Sequence, residues 1–171
     1  ISNLPVVVSF GAIKGGIRYN IIPDEVELIG TIRTFDGGMR QKVFADLISV
    51  AKNVAAAHGA TVVTDVPDTE GNPVTVNNPA LTAQSLPGLF KAAGEANVVN
   101  MSLVMGAEDF SYYAQEVPGF FFFVGATPVG KDANNAPSNH SPQFFLDEAA
   151  LPLGTRALLQ VSLDYLSGAK K

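Results

Sequence analysis

The chain has 171 residues, of which 47% are hydrophobic, 16 are acidic and 11 are basic, giving a formal net charge of -5. This apolar share is enough for one domain, or two small ones, with at least one hydrophobic core. The acidic balance, with no basic cluster before Lys170 and Lys171, argues against a nucleic-acid partner. Because cysteine is absent, disulfides, thiolate nucleophiles and sulfur-ligated zinc are excluded, and any chemistry must use oxygen and imidazole groups.

No apolar run approaches the ~20 residues that span a bilayer. Residues 1–13 lack the basic region and the small-residue cleavage pattern of a signal peptide. We therefore expect a soluble protein without a membrane partner. A cytoplasmic location is favoured, with periplasmic and secreted locations left open.

Residues 1–76 are predicted to form a β-β-α-β unit. Two strands flank a Gly-containing turn in "VVVSFGAIKGGIRYNIIPDEVELIGTIRTF", and the alternation after this turn places Arg33 opposite the apolar face. Apolar positions then take helical spacing from Met39 to His58, where Gly59 supplies the stop. A third strand is predicted at "ATVVTDV". This unit is a layer of sheet covered by one helix.

The loop "PDTEGNPVTVNNPA" contains the strongest turn signals and places a domain boundary near Asn77. We then predict a helix over 81–96, a strand at "MSLVMG", a helical turn or two at "EDFSYYAQE" and a strand at "GFFFFVG". The four consecutive phenylalanines favour a strand covered on both faces. A loop over 126–143 leads to a closing helix over 148–166 with Asp147 as its N-cap.

The predicted fold class is therefore α/β. In both halves, however, the predicted elements lack the neighbouring strands or helices that would cover them. A three-stranded sheet with a single covering helix is thin. A doubly covered strand needs flanking strands that residues 78–171 barely supply. The chain therefore looks incomplete.

His140, in "SNHSPQFFLDE", is the first candidate for chemistry. A histidine in such a polar loop is often only solvated. This loop, however, leaves the end of the predicted sheet, where α/β proteins place ligand crevices, and Glu108 and Asp109 open the preceding strand-to-helix turn. Imidazole and carboxylate groups are ligands for zinc, manganese or nickel, although the two acids can also complement a helix dipole. We expect His140 to face a crevice rather than bulk water.

Asn20 and Arg33 form a second candidate site. An Arg on a sheet face with a nearby Asn amide can hold a free carboxylate, because the guanidinium offers a bidentate fork. Alternatively, Asn20 adopts a left-handed turn conformation, and Arg33 pairs with Glu25 or Glu27 on its own strand face. His58 has a structural explanation, since it lies at a predicted helix C-terminus.

Three strings together resemble one enzyme family. "GGIRYNIIPDEVELIGTIRTF", "MGAEDFSYYAQEVPGFFFFVGA" and "NHSPQFFLDEAALPLG" are similar in order and spacing to the metal-dependent amidohydrolases of the M20 peptidase family. The branch containing N-acyl-amino-acid amidohydrolases, hippurate hydrolases and auxin-conjugate hydrolases matches best. The family fold is a metal-binding catalytic domain with an inserted ferredoxin-like lid or dimerisation domain. The resemblance implies that residues 1–76 are part of the lid and 77–171 the C-terminal portion of the catalytic domain.

The resemblance also implies roles for particular residues. The last metal ligand of the family matches His140, the lid residues that grip the substrate carboxylate match Asn20 and Arg33, and a pocket-lining motif matches Glu108 and Asp109. It further implies divalent metal ions (Zn, Mn, Co or Ni), two in the complete enzyme. The implied partners are an N-acyl amino acid or small-peptide substrate and a second copy of the chain in a homodimer.

More than half of a typical member is expected upstream of Ile1, including the other metal ligands, the general base and a lid histidine. A hydrolytic zinc site keeps three protein ligands and a water, which one histidine cannot supply. We therefore expect the chain alone to be inactive. Two alternatives stay open: a non-catalytic binding or dimerisation module whose edge at "VVVSF" pairs with another copy, or a truncated remnant without activity.

Overall fold

The computed structural model describes residues 5–66 and 71–168. Its elements, in chain order, are β1 (Val7–Gly15), β2 (Val26–Arg33), α1 (Gly37–Ala57), α2 (Pro79–Ala93), α3 (Phe110–Glu116) and α4 (Ala150–Leu166), with short 3-10 turns at Glu95–Asn97 and Ala133–Asn135. This mixture of strands and helices confirms the α/β class. None of the helices in the described residues is long and apolar enough to cross a bilayer.

The chain divides into two compact units. The first consists of Ile1–Val74 and Leu103–Ser111, and the second of Thr75–Ser102 and Tyr112–Lys171. The break at residue 74 lies close to the boundary near Asn77 that the loop composition indicates. Assignment of the two parts to a lid and a catalytic domain stays a prediction.

A β-bulge in β1 keeps Phe10 and Ile13 on the same face of the sheet. β1 and β2 pair antiparallel, and the register shifts between Phe10 and Ala12, so Gly11 is the extra residue. Since side chains alternate along a strand, Ile13 would point away from the Phe10 face without this insertion. With the insertion, both side chains share the apolar face, and the pairing register places Arg33 on the opposite face, as the alternation predicts.

The predicted helix after β2 is present as α1. Its N-cap is Asp36, whose Oδ1 accepts a hydrogen bond from the Met39 N–H at 2.7 Å. After the C-cap at His58, Gly59 adopts a φ of 68°, which favours glycine. Of the apolar positions with helical spacing, Val54 is 56% exposed and the other four are half-buried: Val43, Leu47, Ala51 and Ala55.

The predictions of three further strands are wrong. The segments "ATVVTDV", "MSLVMG" and "GFFFFVG" form no strand, and the sheet within the described residues contains β1 and β2 alone. A strand needs a neighbour that completes its N–H···O=C ladder, whereas an apolar run indicates burial only. The helix predicted over 81–96 begins at Pro79 and ends at Ala93, and the closing helix begins at Ala150 rather than residue 148.

The N-terminus of α4 also differs in detail from the prediction. Ala149 occupies the N-cap position and makes no side-chain capping bond. Asp147, the predicted N-cap, instead accepts a hydrogen bond from the Ala149 N–H through its Oδ1 at 2.9 Å. Its own N–H donates to the Ala126 carbonyl at 2.8 Å. Asp147 therefore fixes the approach to the helix from two residues before the N-cap.

The hydrophobic core of the second unit lies between α2 and α4. Gly88 permits their close approach, because a Cβ there would lie 3.3 Å from the Cα of Val161 and 3.2 Å from Oδ2 of Asp164. Shape-matched helices pack at short axial distances only when the contact residues are small. The core consists of three buried side chains with partly buried ones around them: Leu89, Ala92 and Ala157, surrounded by Val98, Phe120, Phe122 and Val161.

Polar contacts join the same two helices. Lys91 Nζ lies 2.9 Å from Asp164 Oδ2, and Gln160 Nε2 donates to Asp164 Oδ1 at 2.9 Å. The hydrogen bond from Lys91 holds the pKa of Asp164 below its ordinary value of 3.8, and Gln160 adds to this effect against partial desolvation. Arg156 Nε donates to the Ala92 carbonyl at 2.9 Å, which satisfies an acceptor near the end of α2.

Asn77 substitutes for a neighbouring strand beside the phenylalanine run. Its Nδ2 donates to the Phe121 carbonyl at 2.8 Å, and its Oδ1 accepts from the Phe121 N–H at 2.7 Å. The following Asn78 N–H donates to the Gly119 carbonyl at 2.8 Å, and its side chain caps α2 by accepting from the Leu81 N–H. One amide therefore makes both of the bonds that a paired backbone would make.

The two sides of the phenylalanine run differ in burial. Phe120 and Phe122 pack against the core of α2 and α4. On the other side, Phe121 and Phe123 make an edge-to-face pair with ring centroids 5.1 Å apart, and Phe123 is 54% exposed. Helical cover on both faces, which the four phenylalanines favoured, is therefore not observed in the described part of the chain.

We expect Gly88→Val to lower the free energy of unfolding by about 1–3 kcal/mol, because the added methyl groups must push α2 and α4 apart. Gly154→Ala is the matched control within α4. Its Cβ would lie 3.6 Å from Val124 Cγ2, an ordinary contact, and alanine favours a helix over glycine by about 1 kcal/mol. Urea unfolding followed by circular dichroism measures both, and a Gly88→Val protein as stable as the wild type would contradict the packing argument.

The lowered pKa of Asp164 predicts a stability that depends on acid. A carboxyl whose pKa is lower in the folded state stabilises the protein above its unfolded value, and this contribution is lost as the pH falls through the folded value. Asp164→Asn should therefore be less stable than the wild type at pH 7, with a difference that shrinks below about pH 3.8. Asp46→Asn, which removes an exposed pair with Lys42 within α1, is the control and should change stability little. A pH-independent effect of Asp164→Asn would rule out the linkage.

Candidate functional site

Arg33 and Asn20 both lie in the first unit with exposed side chains. Arg33 ends β2, and its Nη1 donates a hydrogen bond to the Met105 carbonyl oxygen. The alternative pairing with Glu27 is not observed, because Glu27 pairs with Lys14 at 3.3 Å. Asn20 lies in the connection between β1 and β2. Among the described residues only glycines have a positive φ, so Asn20 does not adopt a left-handed conformation.

The face of the sheet that carries Arg33 has a shallow, open depression. Small side chains and glycine backbone form it, which leaves room beside the strand end. Its lining residues are Ser9, Gly11, Ala12, Ile29, Gly30 and Thr31. A small ligand that bound Arg33 from this side would meet mostly apolar surface and a few hydroxyl groups.

Glu108 and Asp109 lie immediately before α3, as predicted. Glu108 is half-buried and Asp109 is exposed. Two hydrogen bonds from the fully buried Ser111 fix the turn that carries the two acids. The Ser111 hydroxyl donates to the Glu108 carbonyl oxygen at 2.6 Å, and the Ser111 N–H donates to the same oxygen at 3.2 Å. This position before the start of α3 suits a helix-dipole interaction, and a pocket-lining role for the two acids stays a prediction.

His140 is exposed in a turn closed by the hydrogen bond from the Ser141 N–H to the Ser138 carbonyl at 2.9 Å. The expected placement at a crevice is therefore not observed. The described residues also contain no group of three or more His, Asp or Glu side chains that could hold a metal ion. One imidazole supplies a single donor, whereas zinc takes three or four from a protein, so the described residues do not by themselves fit a metal site.

The structure thus brings some of the candidate residues into one unit. Asn20, Arg33, Glu108 and Asp109 belong to the first unit, and His140 belongs to the second. Sequence reasoning missed the role of Met105, because a backbone carbonyl acceptor leaves no trace in residue type. Burial of Ser111 was also missed, since a serine after an acidic pair reads as a surface residue.

Comparison with known proteins identifies the relationship. The sequence between residues 7 and 164 matches the family described as Peptidase family M20/M25/M40. Thermostable carboxypeptidase 2 of Saccharolobus solfataricus is 36% identical over 153 residues, which cover 90% of this chain and 37% of the relative. IAA-amino acid hydrolase ILR1-like 2 of Arabidopsis thaliana is 34% identical over 166 residues, 94% of this chain and 36% of the relative. N-acetylcysteine deacetylase of Bacillus subtilis is 31% identical over 168 residues, which cover 96% of this chain and 40% of the relative.

Solved structures agree with the sequence relatives. The chain superposes on the Bacillus subtilis YXEP protein, described as a dinuclear metal binding peptidase from the M20 family, with a TM-score of 0.68 and 29% identity, covering 95% of this chain and 42% of that one. A crystal structure from methicillin-resistant Staphylococcus aureus gives a TM-score of 0.75 with 27% identity, and the match covers 97% of this chain and 42% of that one. The chain thus spans about 40% of the length of the proteins that it matches.

Proposed function

The chain belongs to Peptidase family M20/M25/M40, and on that basis we propose that it is part of a metal-dependent amidohydrolase that cleaves the amide bond of N-acyl amino acids or small peptides. The observation that carries the proposal is the family match over residues 7–164. Relatives named for the hydrolysis of amino-acid conjugates and for deacetylation support this substrate class. Since the chain spans about 40% of these relatives, the activity is proposed for the longer polypeptide.

Arg33 and Asn20 bind the free carboxylate of the substrate in this proposal. Arg33 has an exposed guanidinium beside an open depression on its face of the sheet. A guanidinium has five N–H donors, so the hydrogen bond to Met105 leaves donors for a bidentate grip on a carboxylate. Asn20 adds an exposed amide in the same unit. Orienting the substrate in this way lowers the barrier to hydrolysis.

His140 supplies one ligand to the metal, and Glu108 and Asp109 line the pocket. A divalent ion bound there, for which Zn, Mn, Co and Ni are candidates, would supply Lewis-acid chemistry to an amide carbonyl and to a bound water. The described residues provide no group of three ligands. We therefore assign no catalytic step to this chain alone, and we propose that two ions bind in the complete enzyme.

A second candidate function is a dimerisation module, which the exposed apolar face of the β1 and β2 sheet favours. Phe10 is 51% exposed and Ile13 is 71% exposed on that face. Within residues 5–66 and 71–168 the sheet has two strands, so each strand has an open edge there. A second copy that packs on this face would cover it. Sedimentation velocity of the chain and of Ile13→Lys tests this function, because monomers at every concentration would contradict it.

We expect the isolated chain to hydrolyse N-acyl amino acids no faster than buffer, with or without added Zn, Mn, Co or Ni, because one candidate metal ligand cannot build the site. Release of the free amino acid measures the rate, and a full-length relative serves as the positive control. Metal analysis after gel filtration adds an independent result. Turnover near that of the relative, or one tightly bound ion per chain, would contradict the expectation.

We expect Arg33→Ala in the full-length enzyme to reduce kcat/KM for a carboxylate substrate by about 10- to 100-fold, the loss typical of a hydrogen-bonded charge partner. For the corresponding carboxamide substrate the reduction should be much smaller. Arg33→Lys should not restore the selectivity, since lysine lacks the bidentate fork. Arg18→Ala, in the connection between β1 and β2, is the matched control. An unchanged ratio of kcat/KM for the two substrates would remove Arg33 from carboxylate binding.

A further inference from the structure

The hydrogen bond from Arg33 to Met105 joins residues 72 positions apart in the sequence. Met105 lies within Leu103–Ser111, a segment that follows α2 along the chain but belongs to the first compact unit together with Ile1–Val74. The donor is an ionised side chain at the end of a paired strand, and the acceptor is a backbone carbonyl in a segment without regular structure. A paired strand therefore contacts a segment without regular secondary structure through a charge-assisted bond.

The segment has little else to hold it. Leu103 is 69% exposed and Val104 is 50% exposed, whereas Met105 is half-buried. In the part of the chain that the structure describes, the bond from Arg33 is the one hydrogen bond made by residues 103–107. Local stability depends on buried apolar contacts and protected hydrogen bonds, and this segment has few of either.

The other end of the segment, which carries Glu108 and Asp109, is held by local hydrogen bonds rather than by Arg33. Ser111 is fully buried, and its Oγ and N–H both bond to the Glu108 carbonyl. This turn fixes Glu108 and Asp109 relative to the start of α3. It does not fix the residues before Glu108, so the position of the approach to the turn depends on Met105.

We propose that Arg33 is a latch that holds the Leu103–Ser111 segment, and with it the approach to Glu108 and Asp109, against the end of β2. One of its five N–H donors is enough for the Met105 carbonyl. The remaining donors stay available for a carboxylate, and in this respect the inference rests on the proposed function. Arg33 is then a positioning residue for the acidic turn as well as a binding residue, so the two roles are coupled through one side chain.

The two roles make different demands on the side chain. A single carbonyl oxygen accepts a hydrogen bond from a lysine ammonium as well as from a guanidinium, whereas a bidentate grip on a carboxylate needs the planar fork. Arg33→Lys should therefore keep the latch and lose the carboxylate selectivity. Arg33→Ala should lose both.

Proteolysis without substrate tests the latch separately from the carboxylate site. A protease that cleaves after glutamate cuts between Glu108 and Asp109, and substitution of Arg33 changes none of its target residues. The purified protein, its Arg33→Ala and Arg33→Lys variants and the control Arg18→Ala are digested briefly under native conditions. Mass spectrometry follows the peptides that end at Glu108, with those that end at Glu95 and Glu116 as internal references.

We expect cleavage after Glu108 to be roughly tenfold faster in Arg33→Ala, since cleavage follows the population of the opened segment and the bond involves a charged donor. Arg33→Lys should stay within about twofold of the wild type, and Arg18→Ala should equal it. Three results would each overturn the latch. Cleavage after Glu108 could stay at the wild-type rate in Arg33→Ala, or it could be as fast in Arg33→Lys as in Arg33→Ala. Cleavage after Glu95 and Glu116 could also increase in parallel with cleavage after Glu108. If the cleavage results support the latch but Arg33→Ala leaves the ratio of kcat/KM for the carboxylate and carboxamide substrates unchanged, only the carboxylate role is disproved.

Discussion

The close approach of α2 and α4 at Gly88 is the constraint on which the second unit depends. Because no side chain separates the helices there, Lys91 reaches Asp164 and Arg156 reaches the Ala92 carbonyl. The same proximity lets three small or medium side chains form the core that Phe120 and Phe122 cover. Helix packing of this kind is decided by the smallest residue at the contact, and a glycine in a helix costs stability unless such a contact repays it.

Helices were predictable from the sequence because their signals are local. Asp36 before the apolar positions of α1 and Gly59 after them are such signals. Asn78 before Pro79 is a local signal for the start of α2 as well, although the predicted start at residue 81 passed over it. Strand pairing is not local. The phenylalanine run indicates burial correctly only on the side of Phe120 and Phe122. The backbone hydrogen bonds of Phe121 go to the amide of Asn77 rather than to another strand. No property of the apolar run could have revealed which group, 44 residues away, would complete its ladder.

The candidate site divides in the same way between local and non-local information. Alternation in β2 is enough to put Arg33 on the face opposite Phe10 and Ile13. Motif order is enough to identify the family, which the match over residues 7–164 confirms. The acceptor of the Arg33 bond could not be predicted, because every residue carries a carbonyl. The exposure of His140 could not be predicted either, since a polar loop after a buried run is compatible with a crevice or with solvent.

The reciprocal bonds of Asn77 have a consequence for chain length. The side chain of Asn77 bonds both backbone groups of Phe121, between the two phenylalanines that pack on α2 and α4. We therefore expect that residues 71–76, which precede Asn77, can lengthen or shorten without rotating the run. A residue inserted between Asn77 and Asn78, the N-cap of α2, would instead disturb the run. It would separate the Asn77 amide from the bond that the Asn78 N–H donates to the Gly119 carbonyl. Natural variation and engineered insertions should therefore accumulate on the N-terminal side of this asparagine and stop at it.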